Sequence, residues 1–182
     1  MFEEYAGQKV LALFFEQPFV QFHLRGVAKE CAVSPPTART QLGKFAREGL
    51  VERTKRANLV LFKANTESVR FKLLKVAYFL QKFEKSGVLP CIQSQLQPLS
   101  IVLFGSTARG EDSLQSDVDL LVISKSKKCL DLGAFEKKLK REINYHVYGP
   151  VEWGKKAAAD KPFYQRILIE GIALFGELPV VE

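Results

Sequence analysis

Apolar residues recur at helical spacing through the first fifty positions and at strand spacing just after. Val10, Leu11, Phe14 and Phe15 form one stripe, which predicts a helix over residues 3–16 ended by Pro18. Val27, Ala28 and Cys31 predict a second helix from His23 to Ala32. Ser34 is a good N-cap ahead of Pro35-Pro36, and Ala38, Leu42 and Phe45 bury one face of a third helix that runs to Glu48 and stops at Gly49. Leu50–Arg53 and Leu59–Lys63 read as two strands joined by the polar connection Thr54-Lys55-Arg56-Ala57-Asn58. Residues 66–85 predict a long helix. Its apolar positions between Phe71 and Phe83 cover more than one face, so it needs more than one partner, in a neighbouring domain or a second copy of the chain.

Beyond Gly87 the pattern changes. Ser100–Phe104 and Leu120–Ile123 are short apolar runs suited to buried strands. A helix over residues 131–141 leads into a third strand, Ile143–Tyr148, in which Ile143, Tyr145 and Val147 share one face and Asn144, His146 and Tyr148 the other. A last helix from Lys161 turns Phe163, Ile167 and Leu168 inward, and Ile172–Gly176 closes the pattern.

With 47% hydrophobic and 26% charged residues, the composition excludes a disordered polyelectrolyte and a coiled-coil rod. The longest fully apolar run, Val10–Phe15, is far below the roughly 18 residues of a membrane span. The start, Met1-Phe2-Glu3-Glu4, is acidic where a signal peptide is basic. Cys31, Cys91 and Cys129 lie far apart and odd in number, which indicates neither a zinc knuckle nor a disulfide framework. A reduced, cytoplasmic chain with no membrane partner is expected.

Charge separates the two patterns. Residues 1–85 hold 15 Lys and Arg against 8 Asp and Glu, so they account for the whole net charge of +7. A basic half beside a neutral half points to a polyanion as partner of the first. The outer face of the third helix shows Thr37, Thr40, Gln41, Lys44 and Arg47, which reach base edges or phosphates if that helix lies in a major groove. Arg53, Lys55 and Arg56 lie on the hairpin that follows. The order of these elements over residues 1–64 resembles the winged-helix transcriptional regulators. The resemblance implies that the third helix reads double-stranded DNA while the wing grips phosphate, and that the chain is a homodimer, because paired half-sites are the usual target of such regulators.

The second half carries a denser motif. Gly105-Ser106 follows the first buried strand at once, and ten residues separate Ser106 from Asp117, with Asp119 two further on. Two aspartates two apart at the start of a strand send both carboxylates to one face, where they repel unless a cation lies between them. Hard oxygen ligands suit magnesium or manganese. Gly105 permits a tight turn, and Ser106 with the amides after it can accept phosphate oxygens. Gly105, Ser106, Arg109-Gly110, Asp117 and Asp119 together resemble the nucleotidyltransferase superfamily shared with DNA polymerase beta, and most closely its minimal prokaryotic members, over about residues 87–176. The resemblance implies that Asp117 and Asp119 hold the metal ions that bridge the nucleotide phosphates. It also implies that Gly105, Ser106 and Arg109 serve the triphosphate, and that a nucleoside triphosphate is ligand or substrate.

The same resemblance exposes a departure. Active members supply a third carboxylate from a later strand, and here that strand offers Asn144 or His146; Glu142, on the face of Asn144, could rescue the site by a two-residue shift, and Glu152 lies further on. The spacing of Arg141 and His146 also matches a ribonuclease motif that works from a helix, whereas here it straddles a strand start. The expected fold is α+β: a winged helix-turn-helix over 1–64, a connector helix over 65–86, and a small mixed sheet of nucleotidyltransferase type flanked by helices over 87–182. Two functions follow. One is a DNA-binding regulator whose second domain binds magnesium-nucleotide with transfer weak or lost. The other is an active nucleotidyltransferase that adds a nucleotide to a protein, RNA or small molecule. A separate protein partner fits either, and a purely structural adaptor leaves Asp117 and Asp119 without a reason.

Overall fold

The computed structural model describes residues 5–181, and the chain divides into two compact units after Tyr78. The division falls inside the expected connector segment, and each unit has its own core.

In the first unit, α1 (Ala6–Glu16), α2 (Leu24–Glu30) and α3 (Pro35–Arg47) pack around Val10, Phe14, Val27, Ala38 and Leu42. Positions 3 and 4 of the helix expected over 3–16 lie outside the described residues. Ser34 caps α3 as expected, its Oγ accepting from the Thr37 amide at 3.2 Å. Two short segments were not legible in the pattern. The first is β1 (Phe22–His23), which pairs with β3 (Leu59–Ala64), so that His23 both ends a strand and precedes α2. The second is the true extent of the hairpin. β2 (Val51–Arg56) runs on through Thr54, Lys55 and Arg56, which pair with Leu61, Val60 and Leu59, and only Ala57-Asn58 form the turn. Ala57 takes a left-handed backbone (φ +51°), which suits a two-residue connection between twisted strands. The sheet order is β1-β3-β2, all antiparallel.

Helix α4 (Val69–Ser86) begins three residues later than expected, because Asn65–Ser68 form a turn and the Ser68 hydroxyl accepts from the Phe71 amide. Its two-sided apolar pattern resolves along its length. Phe71 and Tyr78 belong to the first core, Phe79 and Phe83 to the second.

The second unit is built on a four-stranded mixed sheet in the order β6-β5-β4-β7, formed by β4 (Ser100–Phe104), β5 (Val118–Ile123), β6 (Ile143–Tyr148) and β7 (Ile172–Phe175). β5 and β6 are parallel, whereas β4 runs antiparallel to both of its neighbours. Strand periodicity divides β5. Val118, Leu120 and Val122 enter a core with Ile92 of α5 (Val88–Leu96) and Leu139 of α7 (Gly133–Leu139). Leu121 and Ile123 enter another with Trp153 of α8 (Pro150–Ala159) and Ile167 of α9 (Lys161–Glu170). α5 had no counterpart in the sequence reading, and α7 is shorter than the expected 131–141. Asp131 accepts from the Gly133 amide to open α7, and Lys140 turns left-handed (φ +56°) to end it. Among the described residues no helix is long and apolar enough to cross a membrane.

Candidate functional site

The end of the second sheet, where β4 stops beside the start of β5, places the motif. β4 ends at Phe104, whose ladder partner is Asp119, and the chain turns directly into α6 (Gly105–Arg109). Gly105 has φ +75°, and a Cβ there would collide with the Asp119 carboxylate. Glycine is therefore required twice over, by the backbone and by the close approach of the acid. Thr107 and Ala108 are buried, and the Thr107 hydroxyl donates to the Asp117 carbonyl at 3.3 Å, which ties the short helix to the strand entrance.

Asp117 immediately precedes β5 and Asp119 lies within it. Burial, and then the charge of Asp117, push the Asp119 carboxyl above its ordinary value of 3.8; His146, Arg141 and a hydrogen bond from Asn144 pull the other way. An acid pushed in that direction by burial and a like charge is one that a cation would relieve. Asn144 stands opposite Asp119 in the parallel ladder, and its Nδ2 donates to Asp117 Oδ2 at 2.9 Å. A carboxamide, not an acid, therefore stands against the pair from β6. Glu142 lies in the turn before β6 and is exposed, its carbonyl accepting from the Val118 amide at 2.9 Å. Glu152 is spent on its own helix, where it accepts from the Gly149 amide and pairs with Lys127.

Among the described residues, no three Asp, Glu, His or Cys side chains gather closely enough to hold a metal. The donors at hand are two carboxylates and one carboxamide. That set suits one magnesium ion, which binds through one or two carboxylates and fills its remaining positions with water and phosphate oxygens. It does not suit a second ion, which would need the missing acid.

Arg109, its side chain 36% exposed, is engaged by two acids. Its Nε donates to Glu111 at 2.9 Å and its Nη1 to Glu170 of α9 at 2.6 Å, and these two hydrogen bonds raise the affinity of the guanidinium for its proton. Ser106 is half-buried, and among the described residues its hydroxyl has no partner. Arg141, whose spacing to His146 matches a helix-borne ribonuclease motif but straddles a strand start, has a role the sequence pattern does not show. Its side chain is only 5% exposed and makes four hydrogen bonds to residues 107–117. No local pattern marks an arginine just before a strand as buried; only its partners do.

On the first unit, Thr40, Lys44 and Arg47 are exposed along α3. Gln41 is half-buried against Gly7 of α1, and the Thr37 hydroxyl is engaged with Ser34 at 2.7 Å. Arg53, Lys55 and Arg56 all stand exposed on β2. Arg53 and Arg39 of α3 line a cleft of about 410 Å³ together with Leu24, Val60 and Phe62. Arg39 is exposed and is outside the set Thr37, Thr40, Gln41, Lys44 and Arg47 read from the sequence.

Residues 85–174 match the family model of the nucleotidyltransferase domain. No curated protein and no solved structure matches the chain.

Proposed function

With a nucleotidyltransferase domain over residues 85–174 as premise, we propose that this chain is a DNA-binding regulator whose second domain takes up a magnesium-nucleotide and transfers it weakly or not at all. In this reading Asp117 and Asp119 hold magnesium (manganese being the alternative), and Asn144 contributes its carboxamide. Gly105 and Ser106 face the triphosphate, with Arg109 holding the turn through Glu111 and Glu170. When bound, the ion would neutralise phosphate charge and orient the nucleotide. The protein's own part is to hold two acids side by side above the Gly105 turn.

The single observation that carries weak transfer is Asn144 hydrogen-bonded to Asp117 where an acid would complete the site. A carboxamide takes no proton from an attacking hydroxyl. Loss of a general base commonly costs about 10²–10⁴-fold in rate. Calorimetry with ATP, GTP, CTP and UTP, with and without magnesium, tests uptake: binding that needs the metal supports the reading, and none with any triphosphate removes it. Incubating candidate acceptors with labelled ATP and magnesium tests transfer. Robust labelling that Asp119→Asn abolishes would establish the active-enzyme alternative, with a protein, RNA or small molecule as acceptor.

The first domain, residues 1–64, is proposed as a winged helix with 65–86 as connector. Its support is the three-helix, three-stranded arrangement and a basic excess exposed on α3 and β2. Phosphate contacts from Lys44, Arg47, Arg53, Lys55 and Arg56 would supply affinity, and Thr37, Thr40 and Gln41 are the candidates for base edges. A homodimer reading paired half-sites is the expected state, in a cytoplasmic setting. Gel shifts on fragments of the adjacent genomic DNA test it; a chain that retards no duplex at low salt is not a regulator of this kind.

A further inference from the structure

We propose that Arg141 is the positioning residue of the nucleotide site: a buried guanidinium that locks the glycine-serine turn and the first aspartate into one rigid piece. The inference rests on the magnesium-nucleotide reading above and adds a residue outside the ligand set.

The geometry is a fork used on several sides. Nε donates to the Ser116 carbonyl at 2.6 Å and Nη1 to Asp112 Oδ2 at 2.8 Å. Nη2 donates to the Thr107 hydroxyl at 2.6 Å and to the Asp117 carbonyl at 2.9 Å. The face of the guanidinium lies over the Phe79 ring, 5.1 Å from its centroid. One side chain therefore grips α6 through Thr107 and the backbone on which the Asp117 side chain is mounted. Residues 111–117 have neither helix nor strand of their own, so no ladder holds Asp117 in place. The carboxylate of Asp117 is held from β6 by Asn144, and its carbonyl is held by Arg141, three residues earlier in the chain. A lysine at this position could keep the charge but not the fork, since an ammonium does not present planar, divergent donors.

The alternative is that Arg141 merely balances Asp112, an ion pair in which both side chains are nearly buried. The two roles separate in solution. If Arg141 positions the site, Arg141→Lys and the milder Thr107→Val lower the magnesium-dependent affinity for the best nucleotide by about 10–100-fold, the scale seen when a residue orienting a metal ligand is lost. Binding without metal stays the same. Amide exchange over residues 110–118 rises in both variants, while the rest of the unit keeps its protection. Thr107→Val removes a hydroxyl without a charge or much volume, so it stays informative if the arginine variant unfolds.

If Arg141→Lys retains full magnesium-dependent affinity, or Thr107→Val leaves it unchanged with the loop equally protected, the positioning role is overturned. A wild-type chain that binds no triphosphate overturns the reading beneath it. In that event, loosening of residues 110–118 would show the clamp to be purely structural.

Discussion

The two units invest their chemistry in opposite ways. In the first, the candidate nucleic-acid contacts are exposed side chains on regular elements, and Arg53, Lys55 and Arg56 are all open to solvent. Lys44 is only loosely paired, its Nζ 4.0 Å from Glu48. In the second, the candidate groups are cross-linked, with Asp119 and Ser106 half-buried and Asp117 and Asn144 exposed. Asp117 is tied to Asn144, Arg109 to Glu111 and Glu170, and Arg141 to the whole approach. Exposed charges act additively and through the ionic atmosphere, so moving one changes affinity by a little. A connected site acts as a unit, so loosening one member disturbs the rest.

Unfolding one unit should leave the other working. Leu42→Ala in the first core should cost about 2–5 kcal/mol by cavity formation. It should abolish DNA retardation while leaving magnesium-dependent nucleotide uptake near wild type, as read by calorimetry at a temperature where the second unit stays folded. Joint loss of both activities would show that the units do not stand alone.

Next in size is Asp119→Asn, expected to lower magnesium-dependent nucleotide affinity by about 100-fold or more. The same residue gives a pH dependence. Because burial and Asp117 raise the Asp119 carboxyl above 3.8, the folded chain without metal holds that proton at pH values where the unfolded chain has released it. Metal-free stability from this group is therefore greatest in acid and declines as pH rises through the raised value. Magnesium binding needs the ionised form, so it strengthens over that interval. The rise in melting temperature caused by magnesium should shrink as the pH is lowered toward the carboxylate range, and in Asp119→Asn it should be absent at every pH.

The double variant Lys44→Ala with Arg56→Ala should weaken DNA binding uniformly across sequences. It should flatten the dependence of log affinity on log salt by about two contacts' worth, without altering the melting temperature. An unchanged slope would remove these two residues from the interface. The smallest effect expected is that of Ser34→Ala, which deletes the cap of α3 and should cost about 1 kcal/mol in a denaturant titration.

How much of this was legible in the chain follows the same division. The helices of the first unit declared themselves because each buries one stripe at regular spacing, and the cap at Ser34 is a local hydrogen bond that needs no tertiary partner. The hairpin was misjudged because Thr54, Lys55 and Arg56 are polar on an exposed strand, and polarity alone reads as loop. β1 went unseen because two residues make no pattern and exist as a strand only through pairing with β3. In the second unit, the glycine-serine turn and the paired aspartates were legible from spacing. Which side chain completes them was not.

What depends on near neighbours is readable along the chain: the amphipathic stripes, the separation of charge into a basic and a neutral half, and two acids two positions apart at a strand entrance. Tertiary structure decided what depends on register between strands distant in the chain. It set Asn144 rather than Glu142 beside Asp117, because the parallel ladder matches residue 144 with 119. It also engaged Arg109 in two ion pairs and drew Arg141 inward as a clamp. A hydrogen bond across 24 or 27 residues leaves no trace in local spacing, since only the folded sheet brings its donor and acceptor within 3 Å.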